Sequence, residues 1–319
     1  MTGFLEEHSA QVGEAATRIR AYVRRTPCLT TDLDPGLRLK PECFQVTGSF
    51  KVRGAFNAIL TLAAQNPRPA GVIAVSSGNH AQAVALAAAT VGLPALVLIP
   101  EDANPAKVAA TRALGAEVIQ EGITFANREE RLHEEMATRG FTLVHPFDDW
   151  NVIHGQGTAA RELLEDVPDL EVIATPVGGG GLLSGTAISA KRHNPAVRVV
   201  GVEPEVADDA YRTWKTGRIQ SLASAPSTLA DGVRTTSVGA RTFETMFANR
   251  LVDEIVTVSE DEIAAAVRVA WSRLHLALEP TGALPLAAYL TGKLPKGRVG
   301  LILTGGNANL ETMATLLRR

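Results

Sequence analysis

Short apolar runs alternate with Ala- and Leu-rich stretches along this chain. The runs occupy 71–77 (GVIAVSS), 94–100 (PALVLIP), 116–122 (AEVIQEG), 171–178 (EVIATPVG), 197–204 (VRVVGVEP) and 298–306 (RVGLILTGG). Each is rich in Val and Ile, closes on Gly, Pro or Ser, and reads as a buried strand. Between them, 81–92 (AQAVALAAATVG) and 264–278 (AAAVRVAWSRLHLAL) read as helices. That alternation predicts an α/β protein whose parallel sheets carry helices on both faces. Prolines break the pattern at 63–71 (AAQNPRPAG), and the chain leaves one strand set for another near 145–151 (HPFDDWN). Both are expected domain boundaries. In such sheets ligands bind where strands give way to loops, so the loops after 77, 178, 203 and 303 carry the interest.

Composition narrows the class. The 319 residues are 45% hydrophobic and 20% charged, with 28 Gly and 17 Pro, enough for two domains or one large one. A net charge of -3 offers no basic footprint for nucleic acid. No run approaches the roughly 20 apolar residues that span a bilayer. The N-terminus carries Glu and Arg where a signal peptide needs an apolar core. Cys28 and Cys43 make no disulfide framework, and no CxxC occurs. The expectation is a cytoplasmic enzyme of small-molecule metabolism.

Four consecutive glycines, Gly178, Gly179, Gly180 and Gly181, lead from the 171–178 run into a helical stretch. Bare backbone N–H groups at a helix start cradle anions, phosphate above all. One glycine would serve a tight turn; four in a row favour a phosphate site. A dinucleotide fingerprint would need a third glycine at Leu183 or Ser184, even though Glu203 stands at a suitable distance. No Gly-Lys-Ser/Thr follows, so a P-loop fails too. A phosphate without a nucleotide remains, as on a phosphorylated cofactor.

Three other loops are less decided by their residues. Ser76, Ser77, Gly78, Asn79 and His80 crowd the end of the 71–77 run, either as a helix cap or as a ligand loop. No partner spacing marks His80 as a metal ligand, and no Asp–His arrangement makes Ser77 a hydrolase nucleophile. Thr304 precedes Gly305 and Gly306, where its hydroxyl either satisfies local backbone or faces a ligand. Glu203, Asp208 and Asp209 are either helix-start acids facing water or, with a backbone carbonyl between them, ligands for Mg²⁺ or Ca²⁺. Lys51, in VTGSFKVRGAFNA (46–58), sits where a helix begins and a cation is disfavoured. It either bends into water or is kept neutral.

Taken together and in this order, GSFKVRGA around Lys51, SSGNHAQ, the four glycines, ADGVRT and TGGN resemble the serine/threonine dehydratase and serine racemase family of fold type II pyridoxal-phosphate enzymes. The resemblance runs from about Arg25 to about Asn309 and looks most like short bacterial catabolic threonine dehydratases. It implies two open, mostly parallel sheets flanked by helices, with the cofactor in the cleft. Residues 1–64 plus 149–319 would form the large domain and 65–148 the small one.

The resemblance also implies roles. Lys51 is the Schiff-base lysine, with Phe50 packed on one side of the cofactor ring. Asn79 bonds the phenolic oxygen, Gly178 to Gly181 with Leu182 hold the phosphate, and Thr304 faces the pyridine nitrogen. Ser76, Ser77, Asn79, His80 and Thr235 surround the substrate, with Arg128 at its distal side. Glu203, Asp209 and the Ala207 carbonyl match a divalent-cation site. A homodimer is implied, with no nucleic-acid or membrane partner. The short stretch after TGGN leaves no expected room for a regulatory domain.

Two departures stand out: Thr304 replaces the more usual Ser or Cys, and His154 stands where relatives usually carry a small residue. The implied activity is deamination of L-threonine or L-serine to 2-oxobutyrate or pyruvate plus ammonia. Serine racemase and threo-3-hydroxyaspartate dehydratase share every motif. Ser77, across the ring from Lys51, tilts toward the racemase-like branch. A β-replacement synthase, or a non-catalytic cofactor-binding or amino-acid sensor protein, is the remaining alternative, the latter disfavoured by an intact Lys51.

Overall fold

The structure, a computed structural model, describes residues 2–103, 105–124 and 126–318. Among them ten strands form two sheets. In chain order the strands are β1 Leu29–Thr30, β2 Leu37–Pro41, β3 Val72–Val75, β4 Ala95–Leu98, β5 Glu117–Ile119, β6 Thr142–Leu143, β7 Val172–Pro176, β8 Arg198–Pro204, β9 Glu254–Val258 and β10 Val299–Leu303. The larger sheet runs β1-β2-β10-β7-β8-β9 and is parallel except for the β1–β2 pair. The smaller runs β5-β4-β3-β6 and is wholly parallel.

These orders say where a crevice opens. In the large sheet the chain winds outward from β7 through β8 to β9, while β10 and β2 lie on the other side of β7. In the small sheet it winds from β3 through β4 to β5, with β6 on the other side. A doubly wound sheet opens its crevice at that reversal, at the strands' carboxyl ends. The loops at the two reversals are those after β7 and β10 and after β3, which are the four glycines, Thr304 and the Ser76–His80 segment.

Helices cover both sheets: α1 Thr2–Ile19, α2 Lys51–Ala63, α3 Asn79–Val91, α4 Pro105–Ala113, α5 Arg128–Arg139 and α6 Trp150–Asp166 in the first half. The second half adds α7 Gly181–His193, α8 Asp209–Thr216, the single turn α9 Ala240–Phe243, α10 Glu260–Ser272, α11 Pro280–Leu290 and α12 Leu310–Arg318. Their boundaries follow local chemistry. The Asp149 side chain caps α6 by accepting from Val152 N–H, Ser259 and Glu262 form a reciprocal box at the start of α10, and Pro280 opens α11. The helix expected over 264–278 stops at Ser272, because His275 takes φ +56. Strands β1, β2, β6 and β9 were not expected: β1 and β6 are dipeptides, β2 (LRLKP) carries charges, and the β-branched run of β9 (EIVTV) was passed over.

Those charges explain how α2 is held. Lys40, Glu42 and Arg53 are fully buried, and Arg53 bridges Glu42 at 2.8 Å and Glu162 at 2.7 Å, while Lys40 reaches Glu162 at 2.6 Å. Thr26 Oγ1 also donates to Glu42. A buried ion cluster with its hydrogen bonds filled adds little net stability, but removing one member strands a charge. It joins β2, α2 and α6. The opposite face of α2, with Val52, Ala55, Phe56 and Ile59, packs into the core over the small sheet. The helix that begins at Lys51 is thus gripped from both sides.

Candidate active site

Lys51 is fixed from the backbone outward. Ser49 pairs with Gly305 in an isolated antiparallel bridge, Phe50 N–H donates to Thr304 O (3.0 Å), and Gly306 N–H donates to Gly48 O (3.0 Å). The start of α2 is therefore tied to the end of β10. Gly48 takes φ +71, and a Cβ there would lie 2.5 Å from Asn307 Oδ1, so the turn requires glycine. The partly buried Lys51 side chain sends Nζ to Pro146 O at 2.9 Å and to 5.2 Å from the Phe50 ring centre. Loss of water pushes its pKa down to about 8, with the Glu279 carboxylate pulling the other way. The lysine flagged by its place at a helix start is one that readily loses its proton.

The four glycines leave β7 and enter α7, whose first N–H groups lack partners within the helix. Gly180 takes φ +95. A Cβ at Gly179 would lie 2.3 Å from the Phe147 ring and one at Gly181 2.9 Å from the Phe147 backbone. Phe147 follows Pro146, so the chain over the glycines also supplies the carbonyl that holds Lys51. Asp148 continues this strap, accepting from Arg241 N–H at 2.8 Å at the start of α9. Thr242, in α9, returns a hydrogen bond to Gly179 O at 2.8 Å.

From the small sheet, the Ser76–His80 loop faces this arrangement. Asn79 Nδ2 donates to Glu279 Oε1 (2.7 Å), and Asn79 Oδ1 accepts from Asn307 Nδ2 (2.8 Å), which also donates to Thr47 O (2.7 Å). The Asn79 amide is thereby held from both ends. Ser76 Oγ accepts from Gly78 N–H, and Ser77 is exposed. His80 is buried, with Nε2 at 2.8 Å from Val144 O; burial and the nearby Lys51 push its pKa down to about 3. It is a neutral ring.

Glu279, just ahead of α11, was missed by sequence reasoning. It is 3% exposed, and burial first, then Asp231, raises its pKa to about 7. The signal was an acid placed before Pro280 and a long apolar helix. Phe147 and Asp148 were missed too, within a stretch read only as a domain boundary.

Other expected residues sit at varying removes. Thr235 lies against Gly178, its Oγ1 3.3 Å from where a Cβ there would be. Arg128 opens α5, half-buried, its pKa lowered by burial against the pull of Glu129. Glu203 ends β8 and accepts from Tyr211 N–H (2.6 Å) and Ala210 N–H (3.3 Å), beside buried Asp209 and Ala207. Burial, then Asp209, pushes Glu203 well above the usual carboxylate range, and burial raises Asp209 to about 7. Among the described residues no three His, Cys, Asp or Glu side chains converge as metal ligands. His154 stands apart from the site: its Nε2 meets His8 Nδ1 at 2.9 Å beneath α1.

The lining fits a phosphorylated pyridine aldehyde. Thr304 Oγ1 and Thr235 Oγ1 are buried without a hydrogen-bond partner. Such hydroxyls carry an uncompensated cost that polar ligand atoms would remove. A helix N-terminus behind glycines would suit the phosphate, a lysine with depressed pKa the aldehyde, and a fixed amide a ring oxygen.

Comparisons with known proteins agree. The family model described as "Pyridoxal-phosphate dependent enzyme" matches residues 19–305. An L-threo-3-hydroxyaspartate ammonia-lyase of Saccharomyces cerevisiae is 42% identical, covering 95% of this chain and 94% of its own. A solved threonine deaminase of T.th. superposes with TM-score 0.89 at 48% identity, over 94% of this chain and 98% of the other. Maize serine racemase gives TM-score 0.90 at 37% identity, over 97% and 96%. The chain belongs to the pyridoxal-phosphate dependent enzyme family, in its fold type II architecture.

Proposed function

We propose that this protein deaminates L-threonine and L-serine to 2-oxobutyrate or pyruvate plus ammonia. The observation that carries the reading is Lys51: its Nζ is desolvated to a pKa of about 8, and the helix it opens is tied through Phe50 N–H to Thr304, whose neutral hydroxyl lacks a partner. When bound, pyridoxal phosphate supplies an aldehyde and a ring that takes up electron density from the substrate's α-carbon. Phe50 would flank that ring, Asn79 its phenolic oxygen, Gly178 to Gly181 with Leu182 its phosphate, and Thr304 its nitrogen.

The chain's own residues do the rest. In its neutral form, reached far more readily than by a free lysine, Lys51 Nζ accepts the α-proton, and the Pro146 carbonyl orients the resulting ammonium. The Ser76–His80 loop, at the N-terminus of α3, receives the substrate carboxylate, with neutral His80 and Thr235 around it. A hydroxyl at 304 does not hold a proton on the ring as a carboxylate would, which favours prompt loss of the β-hydroxyl. The β-hydroxyl leaves as water by taking a proton from the Lys51 ammonium, and the released enamine then hydrolyses to the 2-oxo acid and ammonia. The test is 2-oxo acid release from each amino acid; no release from either overturns the reading, as does full turnover by Lys51→Ala.

A second reading is dehydration of threo-3-hydroxyaspartate, the activity named for the yeast relative. Half-buried Arg128 at the start of α5 is the cation suited to a second carboxylate. Racemisation is the third, through Ser77. Glu203, Asp209 and the Ala207 carbonyl would serve a divalent cation, with solvent filling its other positions.

A further inference from the structure

Besides the 146–148 strap, side chains of α3 and α4 on the small sheet reach the large-sheet half around the candidate site at three places among the described residues. Asn79 to Glu279 and Asn307 to Asn79 lie inside. Lys107 Nζ to Asp231 Oδ2, at 2.5 Å, lies outside, its side chains 20% and 48% exposed. Lys107 belongs to α4, which packs on the small sheet through Val108. Asp231 opens the single turn Asp231–Val233, whose Val233 belongs to the large-sheet core.

That turn is wired to the site. Gly232 N–H donates to Thr281 Oγ1 at 2.9 Å, in the first turn of α11 after Glu279. A Cβ at Gly178 would sit 3.1 Å from Val233 Cα, and Thr235 follows two residues later. The two charges also act on the Glu279 carboxyl in opposite directions, Asp231 raising and Lys107 lowering its pKa.

We propose that Lys107 and Asp231 are positioning residues that latch the mouth of the cleft, seating the 231–235 segment against the glycine loop while substrate is bound. This rests on the cleft being the substrate site. Opening the inner bonds strands buried polar groups, which is costly. A partly exposed ion pair is weak and returns to water at little cost, so it can break at each turnover. With α2 gripped at the back of the cleft, closure by such a pair leaves Lys51 in place and moves the front.

The test uses the holoenzyme with Lys107→Met, Asp231→Asn and the reversed pair K107D/D231K. Amide hydrogen exchange over 105–113 and 231–235 is read beside KM and kcat for 2-oxo acid release at low and high salt. The single variants are expected to exchange faster in both segments and to raise KM about two- to fivefold with kcat held or increased. Parental KM should climb with salt toward the variants' value, theirs should stay flat, and the reversed pair should restore both readouts. Unchanged exchange and KM, a shared salt response, or no recovery in the reversed pair overturns the latch. If even the parent releases no 2-oxo acid, the substrate reading fails, while the exchange contrast still decides the latch.

Discussion

Asn79 and Glu279 meet across the cleft, the amide of one on the carboxyl of the other at 2.7 Å, from helices that cover different sheets. Glu279 keeps its proton up to about pH 7 because it is buried. Folding therefore takes up a proton between the ordinary carboxylate pKa and 7, and stability falls as pH rises through that window. Glu279→Gln, which preserves an acceptor for Asn79, should lose this slope in urea titrations run from pH 4.5 to 8. Glu279→Ala frees the amide to turn and should lower kcat about tenfold or more, in line with a lost positioning contact.

Gly179→Ala should separate cofactor retention from folding. Its new methyl would pierce the Phe147 ring, displacing the strap that carries Pro146. Fluorescence titration with pyridoxal phosphate should show at least about tenfold weaker binding, the scale of a lost charge-assisted hydrogen bond. Retained affinity would mean that the loop does not hold the phosphate.

Ser77 is exposed at the loop, free of a structural duty that its removal would disturb. Ser77→Ala should suppress handling of D-serine while L-threonine deamination stays within about twofold, the ordinary effect of a surface change. Equal loss of both activities in paired assays counts against a second proton donor at this position.

The His8–His154 pair makes α1 acid-sensitive. His8 also stacks on Trp150 at 4.1 Å between ring centres. Burial lowers both pKa values, His154 to about 3, although Glu7 and Glu244 pull His8 upward; His8 and Arg18 press His154 further down. Below the unfolded value of 6.5 the unfolded chain binds more protons, so stability present at neutral pH is lost as pH falls from there toward the folded values. The slope approaches about 1.4 kcal/mol per pH unit for each histidine held neutral. The double variant H8F/H154L should flatten the acid limb of the urea midpoint between pH 6.5 and 5, and an unchanged limb would exclude the pair as its source.

Glu203 and Asp209 are two buried carboxyls, with Asp209 Oδ2 lacking a hydrogen-bond partner, and a bound cation would hold them ionised. Ca²⁺ or Mg²⁺ should raise the Tm of the parent and leave the E203Q/D209N variant unmoved. Without added cation the variant should melt higher than the parent above pH 7, where Asp209 ionises in its buried position beside Glu203 and the amides do not. A cation shift that survives both substitutions places the site elsewhere.

How much of this could be read beforehand depends on the scale of the feature. Parallel strands buried on both faces write continuous apolar runs, so β3, β4, β7, β8 and β10 were plain. Lys51, Asn79, the glycines and Thr304 stood out because several unusual residues followed strand ends together. Lys40 and Arg53 drew no notice, since nothing local reveals that Glu42 and Glu162 neutralise them in the interior. Glu279 was hidden for the same reason: its partner Asn79 lies 200 positions away. His154 was noticed as unusual, but its partner on α1 was not.

The placement of β10 at the centre of the large sheet has a consequence for the nascent chain. Leu39 pairs with Leu301, and Ala174 pairs with Leu301 on its other side. β2 can pair with β1 and β7 with β8, but neither can close its other edge until β10 has been synthesised. The smaller sheet, drawn wholly from 72–143, has all its strands long before. On the ribosome the protein must therefore carry one formed sheet and one gap, with the apolar edges of β2 and β7 unpaired. Such long-range pairing is slow and open to aggregation. Shortening the chain before residue 299 should leave the small sheet protected from exchange and the remainder dependent on chaperones.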